Sequence, residues 1–340
     1  MLIRLKNGTW RLVACVGIYF TLAQAGGAQA ADAQGVAPDP AAIFTLQGEN
    51  SSISSDDVTD RYYTNGIRLG YLSPEDAYPG LAPLGHAMWG DGRQRISVSL
   101  SQQMYTPYNT AAVVPPKRDE PYAGVLLATL GVVQDDASTR SALSLSLGMI
   151  GPSALAKQVQ NNFHDLIGQG HDAGWNSQLH DEPVIAVDSS RVWRLPTGSL
   201  FGLETDALPG LDVTVGTLRI AADAGVNFRI GQGLQSDYGA SRIRALSGGD
   251  AFKRDGEFGW YVFAGVGGQA VGRDITLNGN TFTKSPSVAI VPFVGQAQGG
   301  LGIIAFGARL TYTQVVQTQT FQHQKGGLHE FGSLALSIRF

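Results

Sequence analysis

The chain has 340 residues, a formal net charge of −4, only 15% charged residues and 44 glycines. No basic excess points to a nucleic-acid partner. The length accommodates one large all-β domain or two ordinary ones.

Residues 1–30 read as a secretory leader. Arg4, Lys6 and Arg11 give a positive start, Leu12 to Ala23 an apolar middle, and Ala28-Gln29-Ala30 a small-x-small cleavage site. The mature domain then spans residues 31–340. Leu12-Val13-Ala14-Cys15 also matches a lipoprotein box, but cleavage there falls before most of the apolar stretch. If Cys15 leaves with the leader, the domain has no cysteine and needs a source of stability other than disulfides.

Beyond the leader, no run approaches the roughly 20 apolar residues of a membrane helix. The chain alternates instead. Ile96, Val98 and Leu100 interleave with Ser97, Ser99 and Ser101; Leu143, Leu145, Leu147 and Met149 with Ser144, Ser146 and Gly148. Ile304, Phe306, Ala308, Leu310 and Tyr312 form one row and Ala305, Gly307, Arg309, Thr311 and Thr313 the other. The final run sets Leu334, Leu336, Ile338 and Phe340 against Ser333, Ala335, Ser337 and Arg339. Such period-2 rows put apolar groups on one face of a strand and small or polar groups on the other. A soluble sandwich shares that pattern. The long segments, the Ser/Gly/Thr character of the polar row and a terminal aromatic favour a closed barrel in a bacterial outer membrane.

The fold class is therefore all-β: a single-chain outer-membrane β-barrel of about twelve antiparallel strands. They are expected near 41–49, 62–73, 94–105, 121–134, 140–151, 183–196, 199–217, 218–231, 257–272, 286–298, 300–316 and 328–340. One segment breaks the period. Leu155, Val159, Phe163 and Leu166/Ile167 recur at helical spacing and Gly168 is placed as a stop, predicting a short helix between strands five and six. Gln160 and His164, four apart, share its polar face. Residues 235–256 read as a long, exposed polar loop.

The polar junction Thr59–Tyr71 (TDRYYTNGIRLGY) and the helix are where chemistry concentrates. His164 alone of six histidines sits on a helix beside a polar partner, a position that suits either a structural residue or a base acting near neutral pH. No GxSxG, HExxH or CxxC motif is present, so serine-elbow, two-histidine zinc and thiolate chemistry lack support. A histidine activating water remains, with Asn, Thr and backbone oxygens able to hold a hard cation.

Taken together, GEN (48–50), TDRYYTNG (59–66), YTP (105–107), DEPYAG (119–124), GPSAL…QVQNNFH (151–164) and GWNSQLHDEP (174–183) resemble the outer-membrane lipid A 3′-O-deacylase family. The resemblance implies a twelve-stranded barrel with its site near the outer leaflet, between wall and helix. It implies Ca2+-dependent hydrolysis of the ester holding the 3′-linked acyloxyacyl group of lipid A. It places His164 as general base, with Gln160, Asn50 and Thr64 completing the catalytic set. Asn50 and Thr64 would hold the cation, and Tyr105 and a displaced Lys117 would contact substrate. The implied partners are lipid A or lipopolysaccharide and the outer-membrane barrel assembly machinery.

Two positions depart from the family pattern: Ser51 and Gly170 stand where acidic residues are expected, and Asp56, Asp57, Asp60 or Glu182 are candidates to compensate. Strand parity adds a demand. Asn50 continues the apolar row of Phe44 and Leu46, whereas Thr64 opposes the row of Ile67, Leu69 and Tyr71, so a bulge or an early strand end must bring them together. Three readings stay open: a deacylase, a catalytically impaired family barrel with a structural or lipid-binding role, and a small-solute channel.

Overall fold

The computed structural model describes residues 37–53, 60–243, 247–253 and 258–340, with the backbone of Leu2–Arg4 and Trp10–Leu12. Those two short strands pair antiparallel. The rest of the expected leader, its cleavage site, Asp56 and Asp57 lie outside the described residues.

Twelve strands alternate along the chain: β1 Ile43–Asn50, β2 Tyr62–Leu72, β3 Arg93–Thr106, β4 Ala123–Asp135, β5 Thr139–Ile150 and β6 Glu182–Trp193. They continue as β7 Leu203–Gly216, β8 Arg219–Gln232, β9 Phe258–Asp274, β10 Phe293–Ala305, β11 Ala308–Gln317 and β12 His329–Arg339. Each pairs antiparallel with the next, and β12 returns to β1 with Leu336 opposite Leu46 and Ser337 opposite Thr45. The sheet closes, so no strand edge faces lipid unpaired. Phe340 and Ala42 exchange backbone hydrogen bonds beyond the last ladder pair.

The period-2 rows sort as a barrel in lipid requires. Leu334, Leu336 and Ile338 are exposed while Ser333, Ala335 and Ser337 are buried. Val98, Leu100, Leu145, Leu147, Ile185 and Val187 extend the same outward apolar band. A water-soluble sheet would bury that row; here it is the outer surface.

The interior is filled rather than open. The segment expected as an exposed loop, 235–256, folds back into the lumen in its described part: Asp237, Tyr238, Ser241, Arg242 and Phe252 are buried. Arg229 of β8 and Arg309 of β11 reach Asp237 at 2.5 and 3.1 Å, and Arg68 of β2 binds Asp250 through two hydrogen bonds. Arg140 of β5 donates to the carbonyls of Gly248 and Ala251. The segment's polarity thus reflects its match to charged strand residues inside the wall, not contact with bulk water. A luminal cavity of about 290 Å³ remains above it. This network supplies stabilising contacts to a barrel without disulfides.

Three boundaries differ from expectation. The tenth strand runs seven residues later than predicted and the eleventh begins eight later, because a turn sits at Phe306-Gly307, both at positive φ. A two-residue hairpin turn of that kind inverts parity, so Ile304 pairs across from Arg309 and faces inward while Leu310 and Tyr312 face out. An extra strand, Leu195–Leu200, pairs with the start of β7 after a break at Arg194. A helix not anticipated, α1 (Ala82–Trp89), links β2 to β3, while the predicted helix, α2 (Ala156–Ile167), lies between β5 and β6.

Candidate active site on the outer wall

The candidate site lies on the outward side of β2–β4, at the end opposite the terminal strand ends. Gln102, on the outward row of β3, donates to the carbonyl of Ala154 just before α2. Met104 packs with Tyr122, Ala156 and Trp175. Gly124 of β4 allows the close approach: a Cβ there would stand 2.5 Å from that of Ala156.

The helix packs inside out relative to a soluble protein. Ala156, Gln160 and His164 are its buried residues, whereas Leu155, Val159, Phe163, Leu166 and Ile167 are exposed. Its polar stripe meets the wall and its apolar stripe points away, as the apolar band of the strands does.

His164 is 4% exposed. Its Nδ1 lies 2.9 Å from the carbonyl oxygen of Gly170, which can only accept, so this nitrogen carries the hydrogen. Its Nε2 faces Asp60 Oδ2 at 3.3 Å. Gly170, the position lacking the expected carboxylate, therefore contributes through its backbone. Burial pushes the Asp60 carboxyl up from its ordinary range, and the adjacent His164 opposes that rise.

The backbone of Asp60 takes a left-handed conformation, φ 56°. Its N–H donates to Ser51 Oγ at 3.2 Å, and its carbonyl accepts from Thr106 Oγ1 at 2.6 Å. Thr106 Oγ1 lies 2.6 Å from Thr64 Oγ1, and Ser51 N–H donates to the Thr64 carbonyl. The bulge demanded by parity is present, with the β2–β3 register shifting between Tyr63 and Asn65 across Thr64.

Behind His164, Trp175 Nε1 donates to Gln160 Oε1 at 2.6 Å. That bond fixes which end of the carboxamide is NH2 and leaves Gln160 Nε2 within reach of Asp172. Asp172 completes the cluster. Burial, then the charge of Asp60, pushes its carboxyl up to about 6, while His164, Thr110 and Gln160 pull the other way.

The sequence-derived candidates separate accordingly. His164, Gln160 and Thr64 come together with Asp60. Asn50 ends β1 beside them, but its Oδ1 accepts from Ser52 N–H at 2.6 Å. Tyr105 faces the lumen, where its hydroxyl donates to Gln103 and its ring packs against Tyr63. Its neighbour Thr106, one step along the pleat, faces the site instead. Lys117 is exposed on the loop between β3 and β4. Glu182 is engaged elsewhere, accepting from Thr281 N–H at 2.8 Å. Asp172 was not singled out in the sequence, and Trp175 entered only within GWNSQLHDEP with no role assigned, since both follow the helix stop in an irregular segment with no fixed period.

The calcium expectation can be set against these donors. Asn50 and Thr64 direct their side-chain oxygens to Ser52 and Thr106, and Ser51 supplies a hydroxyl in place of a carboxylate. Among the described residues, no group of three or more His, Cys, Asp or Glu side chains could hold a metal ion. Asn50, Thr64 and Ser51 as arranged offer few free oxygens to a hard cation, which favours several carboxylate and carbonyl oxygens, and Asp56 and Asp57 lie outside the described residues.

A closed barrel with an apolar exterior, a packed lumen and a polar cluster on its outer wall defines an outer-membrane β-barrel protein. A family model described as Outer membrane protein LpxR matches residues 12–340. The chain belongs to that family, the lipid A 3′-O-deacylase family of the outer membrane. The solved structure of LpxR from Salmonella typhimurium is similar, with a TM-score of 0.73 at 20% identity over 88% of this chain and 100% of that one. The translocator domain of the autotransporter NalP from Neisseria meningitidis gives a TM-score of only 0.38 at 10% identity, over 88% and 87% of the two chains. No curated protein matches the chain.

Proposed function

We propose that this chain hydrolyses the ester that holds the 3′-linked acyloxyacyl group of lipid A, acting from the outer leaflet. The observation that carries the reading is the buried His164 on the lipid-facing side of a barrel whose lumen is plugged. A solute channel would place its polar residues around an open interior; here the described part of 235–256 occupies that interior, and a buried histidine lies under a helix on the outer wall. Ser51 does not argue for an impaired barrel, because its hydroxyl anchors the backbone of Asp60.

His164 Nε2 accepts a proton from water, and the oxygen left behind attacks the ester carbonyl carbon. The carbonyl electrons move onto oxygen, where Gln160 Nε2 is the donor available to the developing charge. Collapse breaks the bond to the sugar oxygen, which recovers the proton from Nε2, leaving a free hydroxyl and a fatty acid. No step is routed through calcium. Activity that survives excess chelator accords with this donor set; loss that Ca2+ restores returns the cation to the mechanism. Insertion is assigned to the barrel assembly machinery, the partner that the family resemblance implies.

Mass spectrometry of lipid A from cells with and without the chain tests the activity. The expected result is a new species lighter by the 3′-acyloxyacyl group. An unchanged profile with the barrel correctly inserted overturns the reading.

A further inference from the structure

The placement of Asp60 is unusual for a carboxylate beside a catalytic imidazole. The ring nitrogen that a carboxylate commonly orients, Nδ1, is already bonded to the Gly170 carbonyl. Asp60 instead faces Nε2, the nitrogen that exchanges the proton, at 3.3 Å. Without a proton between them, two lone pairs oppose each other in a largely buried space. With one, an imidazolium faces a carboxylate. The contact is longer than the 2.7–2.9 Å typical of a settled charge-assisted bond, so the carboxylate faces Nε2 without closing a short bond on it.

The fold also spends backbone strain at this point. Non-glycine residues rarely adopt positive φ, yet both Asp60 (56°) and Tyr62 (60°) do. The strained peptide is held from both sides, its N–H on Ser51 and its carbonyl on Thr106. Neither anchor uses the Asp60 side chain. The turn is therefore built to deliver the carboxylate, and the carboxylate does not build the turn.

We propose that Asp60 is the positioning residue of His164: it holds the Nε2 proton in place between its removal from water and its delivery to the leaving oxygen. Asp60 stays a carboxylate throughout, and the proton count is unchanged, one leaving water and one returned to the sugar oxygen. The proposal rests on reading His164 as the base, and adds how its proton is held. The other titratable groups facing the pair are Asp172, on which both act, and Tyr122, on which Asp60 acts. The exposed Asp165–His171 pair lies on the far side of the helix end.

The test is Asp60→Asn in the full-length barrel, which keeps both backbone anchors and allows the amide to occupy Nε2. Deacylation should fall roughly 10- to 100-fold in kcat, less than on loss of the base itself, with KM within about twofold. The acidic limb of the kcat profile should move to lower pH, because the imidazolium loses its counter-charge. Asp60→Glu should recover part of both. NMR of isotope-labelled histidine, with the His164 signal assigned by its absence in His164→Ala, gives a readout independent of turnover: its titration midpoint should drop in Asp60→Asn. An unmoved midpoint and limb overturn the proposal even if deacylation is real. A lowered midpoint in a barrel that never deacylates lipid A supports the pairing and places the failure on the assigned substrate.

Discussion

Two polar clusters in this barrel look alike in composition and differ in how they are finished. In the lumen, Arg229 meets Asp206 and Asp237 at 2.5 Å each, Arg309 joins Asp237, and Tyr261 donates to the same carboxylate at 2.9 Å. On the outer wall, His164 and Asp60 stand 3.3 Å apart, and Asp172 beside them has its carboxyl pushed up to about 6 by burial and by the charge of Asp60. Charges held in short ion pairs fix a structure; a longer contact beside a carboxyl of raised affinity for protons is suited to act on a ligand. The difference separates a stabilising network from a reactive one within a single sheet, on opposite faces of the same wall.

The sharpest way to break the comparison is His164→Ala. It should remove deacylation by about 10²–10⁴-fold while leaving the heat-modifiable gel shift of the folded barrel intact. His171→Ala and His180→Ala should retain most activity. Near-normal activity of purified His164→Ala protein would take the histidine out of the mechanism.

Asp237→Ala tests the opposite cluster. It leaves Arg229 and Arg309 without their shared carboxylate, and breaking one side of a buried pair costs about 3–5 kcal/mol. The folded band should convert at a clearly lower temperature or urea concentration. Turnover per folded molecule should stay near normal. A stable barrel with lost activity would mean that the two clusters are coupled.

Gln160→Ala should cost less than His164→Ala, about tenfold to a few hundredfold for one oxyanion donor, and mostly in kcat. A change confined to KM would make Gln160 a binding residue instead. Asp172→Asn should act more weakly. Its raised carboxyl means that the folded chain gains a proton, and with it stability, as pH falls from about 6 toward the ordinary carboxylate range. The variant should lose that acid-side gain and show a small shift of the acidic activity limb to lower pH. The smallest effect is expected from Lys117→Ala, whose exposed side chain should change folding little; a large rise in KM would restore it as a substrate contact.

Period-2 alternation is a local property, and it determined most of this protein. The twelve strands, the helix between the fifth and sixth, and the inward and outward rows of β12 can all be read from neighbouring residues, because a pleated strand turns every second side chain to the same face. The same logic called for a bulge or an early strand end between Asn50 and Thr64, and the wall takes the bulge. It failed where chain reversal preserved the appearance of alternation: Phe306-Gly307 lacks the usual Asn-Gly or Asp-Gly signal, and Phe306 is 98% exposed at the tip. Tertiary structure alone decided the destination of the polar segment, since its charges find partners on β2, β5, β8 and β11, far away in sequence. It also decided the site. The spacing of Gln160 and His164 announced a helix face, but Asp60 reaches His164 across 104 positions through a strained turn that only the closed wall holds in place. A barrel's local period says which way each side chain points; which distant groups meet depends on the closure of the sheet.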